Sequence, residues 1–287
     1  MLKAAREFFD SRGYLEVQTP SLSSHTASDP FLDSYALGSG KARQYLQTSP
    51  EFHMKRLLAQ IPRPIYQICH AFRQGETGRL HNSEFTVVEW YAPGVDSIAM
   101  AELTTLLIDS LLEPGEVRRT SFQQLLRERH GVDIDTCDES ALLSAAQRVA
   151  AHADRINALD CLYEHAVSFL SGRVLVHGFP SPLASLAAIG RDGVAERFEL
   201  IIDGIEIANG CQELIDADEF RLRTNRNNEI RRDRSLPQVA CDTRLEAALR
   251  CGLAPTSGVA LGFDRLLMLK LGKPTIPEVL AFSDRTR

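Results

Sequence analysis

Arg197-Phe198-Glu199-Leu200-Ile201-Ile202-Asp203-Gly204-Ile205-Glu206-Ile207-Ala208 reads as two strands folded about a two-residue turn. Asp-Gly suits the left-handed backbone of a tight hairpin turn, and β-branched and apolar runs flank it on both sides. In that register Ile201 faces Glu206, and Glu199 is the diagonal neighbour of Glu206 on the same face. Two carboxylates then stand within about 7–8 Å of each other, backbone to backbone. Like charges so placed in a dry site repel unless a cation lies between them. A magnesium ion sharing carboxylate and phosphate oxygens is one reading, and a solvent-facing pair without a metal is the other. Asn209 and Glu213 follow. Strand parity does not put Asn209 on the face of Glu206, and Gly210 is the position where a bulge would redirect the chain.

Outward from the hairpin, hydrophobic periodicity predicts a helix over 1–12 that ends at Gly13, and a short strand 14–18 that stops at Pro20. Ser21–Pro30, rich in Ser, Thr, His and Asp, reads as a mobile loop. A helix is expected over Pro50–Gln60, with Ser49 as its N-cap. Strands follow at 64–72 and 84–91, then amphipathic helices near 97–112, 121–130, 139–151 and 158–170. Strand 173–179 precedes the hairpin. Helices 216–233 and 242–251, strand 256–262 and helix 263–271 come after it. Clustered helices interleave with strands without a β-α-β rhythm, which predicts an α+β fold whose antiparallel sheet is flanked by helices.

The chain of 287 residues suits one large domain, and an apolar fraction of 44% is ordinary for a globular protein. No apolar run reaches the ~20 residues of a membrane helix, and the charged start Met1-Leu2-Lys3-Ala4-Ala5-Arg6-Glu7 is no secretory signal. Cys69, Cys137, Cys161, Cys211, Cys241 and Cys251 lack C-x-x-C spacing, so reduced thiols in the cytoplasm are expected rather than zinc or disulfides. A net charge of −6 weighs mildly against strong nucleic-acid binding. The run Arg221, Arg223, Arg226, Arg231, Arg232, Arg234 is mixed with Glu219, Glu229 and Asp233. It reads as a solvated helix face before it reads as a nucleic-acid surface.

Two further segments carry polar groups in suggestive places. In Glu84–Tyr91, strand alternation puts Phe85, Val87, Glu89 and Tyr91 on one face, which either builds a site or is simply amphipathic. Gly258-Val259-Ala260-Leu261-Gly262 runs straight into Phe263-Asp264-Arg265, a strand leading into a helix. Small residues let a ligand approach the backbone there, and Arg265 offers a planar donor to phosphate. Neither a G-x-G-x-x-G nor a P-loop pattern occurs.

Taken together, these segments resemble a class II aminoacyl-tRNA synthetase catalytic domain of the lysyl branch. Residues 1–20 resemble motif 1, which forms the dimer interface in that family. Residues 65–91, with Phe72-Arg73 and His81-Asn82-Ser83-Glu84-Phe85, resemble motif 2, and 257–271 resemble motif 3. Thr48-Ser49-Pro50-Glu51-Phe52-His53-Met54-Lys55-Arg56-Leu57 and Gly204–Gly210 resemble lysyl-branch signatures. Within that branch the chain is similar to the stand-alone ligases that attach β-lysine to elongation factor P.

The resemblance implies that Arg73 and Arg265 are the catalytic arginines on the ATP phosphates and that Phe85 stacks on adenine. It places Glu76, His81, Asn82 and Glu206 around the nucleotide and assigns magnesium to Glu199 and Glu206. Ser49, Glu51, Glu89, Tyr91, Asn209, Glu213 and Ala260 would line the amino-acid pocket. So many carboxylates suit a cationic substrate, lysine or β-lysine. Motif 2 usually reads F-R-x-E, whereas Gly75 stands here at the fourth position and Glu76 is expected to serve instead. Lysyl-tRNA synthetases usually carry G-x-G-[IL]-G where this chain has Gly258-Val259-Ala260-Leu261-Gly262, and the Ala260 methyl is expected to enter the pocket. Residues 1–287 are expected to be one catalytic domain without an anticodon-binding barrel. They would form a cytoplasmic homodimer whose acceptor is a lysine of elongation factor P rather than tRNA. A truncated lysyl-tRNA synthetase, a ligase of asparagine-synthetase type and a non-catalytic paralogue are the alternatives.

Overall fold

Helices and strands fall where the hydrophobic periods place them, with ends shifted by a few residues. The structure, a computed structural model, describes residues 1–284 and 286. Its elements run α1 (Leu2–Asp10), β1 (Leu15–Glu16), β2 (Leu22–Ser23), β3 (Ala36–Leu37), β4 (Gln44–Leu46), α2 (Glu51–Leu58), β5 (Ile65–Phe72) and β6 (Glu84–Pro93). Next come α3 (Ser97–Leu111), β7 (Val117–Ser121), α4 (Phe122–His130), α5 (Glu139–Val149), α6 (Ala158–Val167), β8 (Arg173–Pro180), β9 (Val194–Ile202) and β10 (Ile205–Gln212). The chain closes with α7 (Ala217–Asp233), α8 (Thr243–Cys251), β11 (Thr256–Gly262) and α9 (Phe263–Lys270).

Eight strands form one sheet in the order β1-β5-β6-β11-β10-β9-β8-β7. Its six central strands are antiparallel, as expected, while β1 joins β5 and β7 joins β8 in parallel at the two edges. Sequence reading missed β7, whose Arg118 and Arg119 are exposed, and the small β2-β4-β3 sheet, whose strands are too short for a period to show.

One face of the sheet is covered by α1, α3 and α9 around Val88, Trp90, Leu200, Ile207 and Leu261. The other face carries two separate clusters. Helices α4 to α6 pack on Ile201, Val174 and Val176, while α2, α7 and α8 pack around Ile65 and Tyr91. Between them the middle of the sheet is left to polar side chains, and the candidate site lies there.

The hairpin turn closes with positive φ at Asp203 (48°) and Gly204 (75°), the geometry Asp-Gly favours. Glu206 pairs with Ile201, but the bulge that follows lies between Glu206 and Ala208 rather than at Gly210. That extra residue reverses the parity of the strand and brings Asn209 opposite Glu199. Gly210 is needed for a different reason, since a Cβ there would sit 2.5 Å from the Phe198 ring.

Two expectations require correction. Residues 21–30 are not a free loop: Arg231 donates to Asp29 O (2.8 Å) and Leu32 O (3.3 Å), and Asn227 donates to Ser28 Oγ (3.2 Å). The basic run is likewise not a simple solvated face. Arg231 is 4% exposed, and Arg223 donates to the carbonyls of Ser185 and Ala187 while pairing with Glu219. These arginines tie backbone carbonyls of distant loops together, a role that needs the fold to become visible. All six cysteines are free, as expected.

Candidate active site

Cross-strand register sets one row of side chains across the open middle of the sheet. Gln67, Glu89, Ala260, Asn209 and Glu199 are successive partners on β5, β6, β11, β10 and β9. Glu89 and Glu199 are therefore three strand spacings apart, about 14 Å. The row separates two polar centres, with Ala260 and Asn209 between them.

The first centre is acidic. Glu89 is buried, and its carboxylate accepts from Ser49 Oγ (2.8 and 3.0 Å) and Tyr91 Oη (2.6 Å). Ser49 also accepts from the Glu51 N–H (3.1 Å), while Pro50 takes the formal N-cap position of α2. Burial, and then the nearby charge of Glu51, push the Glu89 carboxyl up to about 8. Glu213 is pushed up to about 7, chiefly by burial. Lys55, which sequence reading quoted but did not assign, is 2% exposed and lies 2.6 Å from Glu51 Oε1 and 2.5 Å from Glu213 Oε2. Burial would lower its ammonium, but Glu213 and Glu51 more than offset that and keep it charged. Its spacing of four residues from Glu51 on a helix was the available signal. Gly258 faces Tyr91 on the next strand; a Cβ there would lie 2.3 Å from Tyr91 Cε1 and 2.4 Å from Glu213 Oε1. Glycine is what lets these two side chains approach the strand.

The second centre lies at the hairpin and the start of α9. Asn209 Nδ2 donates to Glu199 Oε1 (3.1 Å) and lies 3.5 Å from Glu206 Oε1, so both carboxylates converge on one amide. Arg197 donates to Asn209 Oδ1 (3.2 Å) and to Glu199 (2.5 Å), and Tyr163 Oη donates to Glu199 (2.6 Å). Burial, then Glu206, push the Glu199 carboxyl up to about 7. Desolvation acts on Glu206 too, but Arg265, Arg197 and Arg73 overcome it and hold that carboxyl below its ordinary value. Arg197 lies two residues from Glu199 on its own face and could have been read from the sequence. Tyr163 comes from α6 and could not.

Arg265 donates to Glu206 O (2.9 Å), lies 3.3 Å from Glu206 Oε2, and reaches Leu80 O (3.2 Å) and His81 Nε2 (2.8 Å). Burial and the Arg265 charge hold the His81 imidazole below its ordinary value, in keeping with its accepting that hydrogen bond. Arg73 lies over the Phe85 ring, 5.1 Å from its centroid, and its buried Nε has no partner. Glu76 faces Arg73 at 3.7 Å, across a turn in which Gly75 has φ +84°. Asn82 is buried, with its amide donating to Glu84 O (2.7 Å) and accepting from the Asp284 N–H (2.9 Å). Its side chain therefore shapes the loop.

Arg73, Glu76, His81, Phe85, Glu206 and Arg265 thus gather at one centre, and Ser49, Glu51, Glu89, Tyr91 and Glu213 at the other. The arginines and the orphaned Arg73 donor suit a polyanion. Among the described residues no three His, Cys, Asp or Glu side chains form a metal cage. The converging Glu199 and Glu206 nevertheless suit a magnesium ion, which binds through one or two carboxylates and takes phosphate and water oxygens for the rest.

The family model described as tRNA synthetases class II (D, K and N) matches residues 1–286. Curated relatives named elongation factor P–(R)-β-lysine ligase come from Pectobacterium carotovorum and Edwardsiella ictaluri. Each is 41% identical to this chain over 99% of its length and 92% of the relative's. A Klebsiella pneumoniae relative of the same name is 41% identical over 97% of this chain and 91% of its own. The chain belongs to the class II tRNA synthetase family of the D, K and N group.

Proposed function

We propose that this chain is an ATP-dependent, AMP-forming ligase that adenylates (R)-β-lysine and transfers the β-lysyl group to a lysine side chain of elongation factor P. Relatives bearing that name at 41% identity over nearly the full length of both chains support it. So does the row in which an acidic pocket at Glu89 and an arginine-lined cleft at Glu206 flank Ala260. The observation that carries the reading is the acidic centre, where the buried Lys55 pairs with Glu51 and Glu213, and Glu89 lies close enough for both of those carboxylates to push its own upward. That excess of carboxylates calls for a further cation, which a diamine substrate supplies.

In the first step a substrate carboxylate oxygen attacks the α-phosphorus of ATP. The bond to the β-phosphate oxygen breaks and pyrophosphate leaves. Arg73 and Arg265 bind the phosphates, Phe85 stacks on adenine, and Glu51, Glu89, Tyr91 and Glu213 orient the substrate amines. Catalysis is then mainly positioning and charge neutralisation. Glu199 and Glu206 would hold magnesium, which when bound supplies further positive charge to the phosphates. In the second step the acceptor amine attacks the acyl carbon, loses its proton to solvent, and displaces AMP.

On this reading the protein is a cytoplasmic homodimer paired through residues 1–20, where Leu2 of α1 is exposed. Among the described residues no helix is long and apolar enough to cross a membrane. Residues 1–287 form one catalytic domain, and tRNA is not the acceptor. To test this, purified elongation factor P or total tRNA is offered with ATP and β-lysine, and acceptor mass and tRNA charging are followed. A mass gain of one β-lysyl group on the factor is expected. Charged tRNA beside an unmodified factor would replace this reading with that of a lysyl-tRNA synthetase.

A further inference from the structure

Residues 276–284 lie outside every motif described above, yet they grip the loop that carries His81. Asp284 Oδ2 accepts from the Ser83 N–H (2.7 Å) and from Thr77 Oγ1 (3.1 Å). Its Oδ1 accepts from Ser83 Oγ (2.8 Å), and its own N–H donates to Asn82 Oδ1 (2.9 Å). Higher in the same segment, the Ile276 N–H donates to Arg79 O (2.9 Å). One carboxylate therefore joins both ends of the 77–83 turn, between β5 and β6, and Ser83 beneath it is 4% exposed.

The opposite side of this turn is held by Arg265, through Leu80 O and His81 Nε2. That hold is exchangeable, because the guanidinium donors now on His81 and Glu206 are the ones an incoming phosphate would claim. When they turn to phosphate, the Asp284 contacts still hold the turn that carries His81. Hydrogen bonds to a charged acceptor are the stronger kind, and a carboxylate accepting several at once is a rigid anchor.

We propose that Asp284 is a positioning residue for the nucleotide: its carboxylate fixes the Thr77–Ser83 turn and so preorganises His81 beside Arg265 before ATP binds. This rests on the reading of the Arg73–Arg265 cleft as a nucleotide site. Loss of the anchor leaves the turn to be ordered at the moment of binding, which weakens ATP but leaves the acidic pocket around Glu89 untouched.

The test is calorimetric titration of the full chain with ATP alone and with β-lysine alone, for wild type, Asp284→Ala, Asp284→Asn and Ser83→Ala. Asp284→Ala is expected to raise the Kd for ATP at least tenfold while the Kd for β-lysine stays within twofold. Asp284→Asn keeps one acceptor oxygen and should fall between, rescuing part of the loss. It also carries the test should the alanine variant fold poorly. Ser83→Ala should weaken ATP several-fold, and should add little in the Asp284→Ala background. Wild type that binds ATP while Asp284→Ala and Asp284→Asn bind it equally well overturns the assignment alone. Parallel rises in both Kd values make Asp284 a general fold anchor and overturn it too. Wild type that binds no ATP overturns the nucleotide reading, and this assignment with it.

Discussion

Glu89 shows how burial sets the electrostatics of a single residue. With its carboxyl pushed up to about 8, it is largely protonated in the empty site at neutral pH, and an ammonium can pair only with the ionised form. Diamine binding should therefore release a proton and tighten as pH rises from 6 to 8, a trend that Glu89→Gln should flatten. Calorimetry in buffers of different ionisation enthalpy reads the proton directly. Stability has the opposite sign. Between the ordinary carboxylate pKa and about 8 the unfolded chain binds fewer protons at this position than the folded one. The empty protein's Tm should fall over that window as pH rises. On the next strand of the sheet, Ala260 is the partner of both Glu89 and Asn209. If its methyl shapes the substrate, Ala260→Gly should raise activity with α-lysine relative to β-lysine by no more than ~1–3 kcal/mol of discrimination. An unchanged ratio in pyrophosphate exchange would remove it as the selector.

Among the elements, the junction of β11 with α9 and the bulged β9–β10 hairpin decide where charges meet. The strand runs into the helix without a loop, so Arg265 emerges within hydrogen-bonding reach of Glu206 and of His81 at once. Arg265→Ala should remove charge-assisted contacts worth ~1.5–3 kcal/mol to the phosphates and slow pyrophosphate exchange by roughly ten- to a hundred-fold. Exchange at the wild-type rate would take Arg265 out of the site. The hairpin itself could be read from Asp203-Gly204, including the pairing of Glu206 with Ile201. The bulge could not, because no glycine or polar residue marks Ile207 as its place. A one-residue offset in a strand is invisible to a pattern of period two until a partner strand fixes the register.

Across the whole molecule, stability is unevenly distributed. The sheet is covered on one face by an aromatic core in which Phe9 stacks on Tyr66 at 4.6 Å and touches Trp90. By contrast α5 buries only Ala145 and Ala146, and residues 133–139 and 154–157 beside it are mostly exposed. Amides of 139–149 should exchange with deuterium well before those of β9 and β10, since local opening there exposes little apolar surface. Equal protection in the two regions would mean that α4–α6 opens only with the sheet.

The sequence by itself determined the α+β class and the order of nearly all long elements, because periodicity and turn chemistry are local properties, while the residues of the two polar centres were implied by resemblance to the lysyl branch. Tertiary structure alone decided which of those residues share a row. Glu89, Ala260, Asn209 and Glu199 come from four strands brought together by register. It also decided that the buried Lys55 joins Glu51 to Glu213, that Tyr163 holds Glu199, and that Asp284 reaches back to Ser83. Such contacts join residues up to 201 positions apart, a separation that the chain closes only by folding.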